Sequence, residues 1–165
     1  MQYAYLLLLI GVVIYPLFRS FENKIEYYYK WKYVFPAIIL SVVIFIPCSI
    51  WFVGDSVWHF NNNFVCGITV KHLPIEQWLY FFIVPFSSIY IYEVMNYYIK
   101  KDVLSHYSTL ITIMLAFLLI AFGVIYNEKA YTFATFITLG ALLIVHLLVK
   151  SKYLGRFYIA FATCL

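Results

Sequence analysis

The sequence predicts an all-α fold, a polytopic transmembrane helix bundle of five spans plus an incomplete sixth. Three observations carry that prediction. Of 165 residues, 65% are hydrophobic and 11% charged, whereas soluble globular domains carry about 25% charged residues. The mean hydropathy is +0.91. The apolar residues also fall into runs near the length of about 20 residues that a helix needs to cross lipid, and basic residues gather in alternate connections between them.

The expected spans are, in order, Tyr3–Phe18, Tyr33–Val53, Trp78–Ile99, Ser108–Tyr126 and Ala130–Val149. The first is short and has to extend or tilt to cross. No positive charge precedes it and no small-residue cleavage pattern follows it, so it reads as a retained helix and not as a signal peptide. Pro36, Pro47 and Pro85 are expected to kink or locally open their helices, which lipid tolerates where neighbours satisfy the freed carbonyls. A sixth apolar stretch starts at Phe157 and stops at Leu165, after about nine residues. At about 1.5 Å per residue it falls short of a hydrocarbon core of about 30 Å, so the sequence ends inside what reads as an unfinished helix.

Charge orients the chain. Arg19, Lys24, Lys30 and Lys32 follow the first span, Lys100 and Lys101 the third, and Lys150, Lys152 and Arg156 the fifth. These nine basic residues oppose only Lys71 and Lys129 on the other side, which predicts a non-cytoplasmic N-terminus. Tyr27-Tyr28-Tyr29-Lys30-Trp31-Lys32 reads as a cytoplasmic interface anchor. The connection Gly54–Leu73 lies on the opposite face, where Trp58 and Phe60 suit an interface and Asn61, Asn62 and Asn63 suit a turn.

Composition excludes several functions. The net charge of +4 is spread over short loops, which argues against nucleic acid. Cys48, Cys66 and Cys164 lack CxxC spacing, and the four histidines are scattered, so neither a disulfide framework nor a metal site is expected. The glycines are isolated, which leaves no nucleotide fingerprint. His59 and His72 read as ordinary loop residues, and His146 as a group bonding across helices. A transporter usually lines its path with several intramembrane polar groups, and here the mid-span charges reduce to Glu93. A retinal-type photoreceptor needs an intramembrane lysine, and the lysines sit in loops or at span ends.

The chemistry-bearing candidates cluster at the head of the third span. Pro74 suits a first helical turn because its φ is fixed and its missing N–H is not needed there. Glu76 then enters lipid in that turn, where a carboxyl group is costly to charge and able to hold a proton for delivery to a substrate. The competing reading is an interfacial Glu favoured by the positive end of the helix dipole. Gln77 can orient a carboxyl group but cannot trade protons. Tyr80 lies one turn after Glu76 on the same face, within reach of the same pocket. Glu93 comes 17 residues later, about 25 Å along the axis, which argues against a shared reacting centre. It reads either as a functional intramembrane acid or as a structural group bonded to a neighbour or snorkelling. Trp78, Phe81, Phe82, Phe86, Tyr90 and Tyr92 make this span aromatic, and aromatic faces attract cations as well as pack helices.

The run Leu73-Pro74-Ile75-Glu76-Gln77-Trp78-Leu79-Tyr80-Phe81-Phe82, with Pro85 and Ile91-Tyr92-Glu93 after it, resembles the lycopene cyclase domain, the small flavin-free membrane type. Arg19-Ser20-Phe21-Glu22, Lys30-Trp31-Lys32, Val57-Trp58-His59-Phe60-Asn61 and Lys152-Tyr153-Leu154-Gly155-Arg156-Phe157-Tyr158 are similar to further parts of that family. The resemblance implies two related halves, with residues 1–101 a first three-span repeat and 102–165 a linking span and an incomplete second repeat. It implies carotenoid biosynthesis without a cofactor, by redox-neutral cyclisation of lycopene end groups to β-ionone rings, an intramolecular lyase or isomerase activity. On it Glu76 is the acid, Glu93 a weaker support, and Pro74, Gln77, Trp78, Tyr80, Trp58 and Tyr92 shape the substrate and cation pocket. It also implies a bacterial cytoplasmic membrane. The expected partners are a carotene, membrane lipid, and a second copy or a second cyclase half, with no nucleic acid.

The sequence departs from the family pattern in three places. Gln77 stands where a second acid is usual, and Ser49, before Ile50-Trp51-Phe52, where the second span usually carries an acid. The later Pro-x-Glu motif of single-chain members is not in this sequence. A non-catalytic or partner-dependent carotenoid-binding subunit is therefore the alternative reading.

Overall fold

Long runs of Leu, Ile, Val and Phe leave a lipid-embedded backbone no hydrogen-bond partner but itself, and helices result. The computed structural model describes residues 3–61, 63–99, 104–149 and 153–164. Asn62, Lys100, Lys101, Lys150 and Lys152, which enter the turn and charge readings above, lie outside the described residues. The elements are α1 (Ala4–Arg19), a 3₁₀ turn (Tyr27–Lys30) leading into α2 (Trp31–Gly54), β1 (Thr69–Val70), β2 (Leu73–Pro74), α3 (Ile75–Tyr98), α4 (Ser105–Ile125), α5 (Ala130–Leu148) and α6 (Leu154–Cys164).

Four helical segments, α2 with its leading turn, α3, α4 and α5, are long and apolar enough to cross a membrane, which fits an integral membrane protein. The 16 residues of α1 reach about 24 Å, short of a core of about 30 Å. Four of the five expected spans therefore have the length and composition required. The two-stranded antiparallel β1–β2 hairpin qualifies the all-α expectation.

The chain divides into two compact units, Met1–Tyr97 and Tyr98–Leu165. In the first, Tyr27, Val34, Ile38, Phe86 and Tyr90 form the core, with Val13 of α1 packed against it. Tyr27 corrects the interface-anchor reading. It is fully buried, its hydroxyl donates to the Phe86 carbonyl at 3.1 Å, and its ring lies 5.3 Å from Phe86 and 5.5 Å from Tyr90. Glu26, in the left-handed region at φ 49°, precedes the 3₁₀ turn that carries Tyr27 into this core. Tyr28 and Tyr29 are the more accessible members of the trio, with ring centroids 4.0 Å apart.

Proline chemistry ties α1 to α3. Pro16 has no N–H to give the carbonyl four residues earlier, that of Val12. The buried Ser87 hydroxyl of α3 donates to that carbonyl at 3.3 Å. Ser20 in turn donates its hydroxyl to the Pro16 carbonyl at 2.5 Å.

The second unit rests on close approach. A Cβ added at Gly140 of α5 would lie 2.8 Å from Ile120 Cγ1 of α4, and one at Gly123 would lie 3.1 Å from Ile137 Cδ1. Small residues let apolar helices come this near when no water drives them together. Against α4 also packs α6. Thr112 donates its hydroxyl to the Ser108 carbonyl at 2.6 Å. With that one proton used, the Tyr158 hydroxyl is the donor in its 2.5 Å bond to Thr112.

Gly140→Leu is expected to cost about 1–3 kcal/mol through overpacking. Gly11→Leu, where no heavy atom lies within 4 Å of the added carbon, should cost far less. Thermal unfolding of the full chain in detergent reads both, and only Gly140→Leu should lower the midpoint by several degrees.

Candidate active site

Just ahead of α3 the chain forms a tight hairpin. Val70 pairs with Leu73 and Thr69 with Pro74, so Lys71 and His72 are a two-residue turn. Both have positive φ, 50° and 67°, as a type I′ turn demands. Pro74 is thus the last strand residue before α3, and not, as expected, within its first turn. The adjoining Ile75 N–H donates to the Ile68 carbonyl at 2.9 Å, which fixes the approach to the helix.

Glu76 lies in the first turn of α3 and is 0% exposed. Its Oε1 accepts the backbone N–H of Cys66 at 2.6 Å. Oε2 is buried and has no hydrogen-bond partner among the described residues. In the acid form the proton therefore belongs on Oε2, since Oε1 is engaged as an acceptor. The result is a carboxyl group with one oxygen held by the loop and the other buried without a hydrogen-bond partner among the described residues.

The next residue is held from α1. The Tyr5 hydroxyl donates to Gln77 Oε1 at 2.8 Å, and the Tyr5 N–H donates to the Phe64 carbonyl at 3.2 Å. Tyr5 is also close enough to Tyr80 and Glu76 to interact electrostatically with both. Trp78 donates its indole N–H to the Val70 carbonyl at 3.3 Å, bracing the helix against the hairpin. Tyr80 is half-exposed, with its ring edge-on to Phe81 at 5.7 Å.

Of the remaining expected site residues, Tyr92 and Glu93 lie far from Glu76. Trp58 packs on Phe52 of α2 at 5.6 Å. Tyr92 and Glu93 are at the other end of α3, about 25 Å from Glu76 along the axis. There Glu93 Oε2 meets Lys30 Nζ at 2.5 Å, which favours the structural reading of this acid. Ser49 is buried in α2. Among the described residues no group of three His, Cys, Asp or Glu side chains could hold a metal ion.

Sequence reasoning missed Tyr5 and the Cys66 amide. Tyr5 is one tyrosine among 17, and its partner Gln77 is 72 residues away, so no local pattern marks it. Cys66 acts through its backbone, which any residue other than proline supplies.

The sequence model of the lycopene cyclase family matches residues 2–95 and 128–165, and the chain belongs to that family. No curated protein and no solved structure matches the chain. Family membership supports a general role as a carotenoid cyclase and implies a carotene substrate.

The strain of two non-glycine residues at positive φ is removable. Replacing Lys71 by Asn and His72 by Gly installs the preferred type I′ pair. A gain of about 1 kcal/mol is expected, seen as a raised thermal midpoint relative to the parent chain.

Proposed function

We propose that the chain cyclises lycopene or a similar carotene to β-ionone end groups, as an intramolecular lyase or isomerase with Glu76 as its acid. The observation that carries this reading is the buried Glu76 carboxyl, with Oε1 bonded to the Cys66 amide and Oε2 buried without a hydrogen-bond partner among the described residues. The Oε2 proton adds to the terminal double bond of the linear end group and forms a C–H bond and a tertiary cation. An internal double bond attacks that cation and closes a six-membered ring. Loss of a ring proton restores a double bond, so atoms and electrons balance with no external reductant or oxidant. Tyr80 and Trp78 shape the space around the cation, and aromatic faces there stabilise it by about 0.5–2 kcal/mol each. Glu93, paired to Lys30, braces the far end of α3.

The proposed setting is a bacterial cytoplasmic membrane with a non-cytoplasmic N-terminus, which places Glu76 near the non-cytoplasmic face. The nine-to-two distribution of basic residues supports that orientation.

A second reading is favoured by two specific observations. Glu76 is 0% exposed beneath the Cys66 loop, and Gln77 is committed to Tyr5. A partner-dependent subunit, completed by a second copy or a second cyclase half that draws the loop aside, fits both.

Glu76→Gln keeps the shape and the Oε1 acceptor for Cys66 while removing the transferable proton. General acids contribute about 10²–10⁴-fold. Ring formation in a lycopene-accumulating host, read by chromatography, should therefore fall at least about a hundredfold. Parent-rate conversion by this variant would falsify the assignment. Rings formed by the chain expressed alone exclude the need for a separate second half, and rings formed only with that half added establish it.

A further inference from the structure

The first unit contains an apolar cleft of about 220 Å³, lined by Val13 and Leu17 of α1, Phe35 and Ile38 of α2, and Phe82 and Phe86 of α3. Leu17, Phe35 and Phe82 are exposed at its rim, whereas Ile38 and Phe86 are only 1% and 6% exposed at its floor. The cleft therefore has a closed base and an open side. Phe82 and Phe86 follow Glu76 by 6 and 10 residues, which places the cleft about 9–15 Å along α3 from the carboxyl group.

Its chemistry suits a hydrocarbon. Every lining side chain is aliphatic or aromatic. Close by in the chain, two carbonyls are engaged: Tyr27 donates to that of Phe86 and Ser87 to that of Val12, the neighbour of Val13. The lining side chains offer a ligand no polar group to desolvate, which suits a dry apolar site. The Phe35 and Phe86 rings of the lining are stacked, 25° from parallel with centroids at 6.2 Å. A rigid conjugated chain loses less rotational freedom on being held straight in such a cleft than a flexible acyl chain does.

We propose that this cleft is the polyene subsite, which holds the conjugated chain of the carotene while its end group reaches Glu76. The proposal rests on the carotene-cyclase reading for its ligand. It adds a place where substrate is bound and straightened, separate from the place where the proton is transferred. A site of this kind selects for an uninterrupted planar chain beyond the end group and rejects saturated analogues.

The test measures lycopene binding to the full chain in lipid nanodiscs, by induced circular dichroism in the visible band of the bound polyene. Val13→Trp fills the cleft from α1, and at least tenfold weaker binding is expected. Leu8→Trp, on the same helix and exposed outside the cleft, should bind as the parent does. A photoreactive residue at Phe82 in an otherwise unchanged chain should label lycopene in preference to phospholipid. It keeps the question answerable when Val13→Trp does not fold. Undiminished binding by folded Val13→Trp, absence of binding by the parent, or labelling of acyl chains that lycopene does not displace each overturns the subsite. Glu76→Gln separates this proposal from the catalytic one. Binding at parent strength without ring formation supports both, and ring formation with cleft-dependent binding removes only the role given to Glu76.

Discussion

The hydrogen bond from the Cys66 amide to Glu76 Oε1 is the contact on which the rest of the site depends. It spans ten residues and closes the connection after α2 over the head of α3. Around it the Ile75 N–H reaches the Ile68 carbonyl and the Tyr5 N–H reaches that of Phe64, so the segment 64–68 is pinned from both helices. A bond from an amide to a carboxyl oxygen is stronger than one between neutral groups when the carboxyl is charged, and it keeps its geometry when the carboxyl is protonated. One contact thus holds the loop, buries the acid and leaves Oε2 as the oxygen that can carry a proton. Removing the side chain would free the loop and empty the site together, which is why an isosteric amide separates chemistry from folding.

A second constraint acts deeper in the first unit. Apolar surroundings give a freed carbonyl no water to turn to, so each break in helical hydrogen bonding needs a side-chain donor. Ser87 answers the break that Pro16 makes at Val12. Tyr27 reaches the Phe86 carbonyl from outside its helix. These hydroxyls cross between elements, so they also set how α1, the 3₁₀ turn and α3 meet. The apolar cleft lies among α1, α2 and α3, and its lining side chains are all aliphatic or aromatic.

How much of this was legible in the sequence follows from range. Helix positions were readable because composition acts locally; the observed α2 at Trp31–Gly54 and α3 at Ile75–Tyr98 differ from the expected spans by two or three residues at most at each end. Glu76 stood out as a candidate because an acid entering an apolar run is rare. The hairpin was not, since Lys71-His72 lacks the Asn or Gly that normally signals two positive φ values. Tyr27 was misread because a Tyr-Lys-Trp run has the same composition whether its first ring meets headgroups or a core. Tyr5 was invisible because its role exists only once α1 and α3 are side by side.

Gln77, beside Glu76, has a structural role besides being unable to exchange protons. Its Oε1 is the acceptor for Tyr5, and an amide keeps that bond without adding a second negative charge beside Glu76. Two adjacent carboxylates would repel each other in a medium that screens them poorly. With Gln77 unable to exchange protons and Glu93 held by Lys30 at the far end of α3, no other acid of α3 is placed to take part. On the proposed reading, the carboxylate that gives the proton to the end group is then the base of α3 positioned to recover one from the ring. The end group has to remain within reach of Oε2 through both steps. A substrate anchored only at its reacting tip would drift between protonation and proton loss, whereas one gripped along its chain stays in register. A polyene site about 9–15 Å along α3 answers that requirement, because it fixes the rigid part of the substrate while the flexible end group folds.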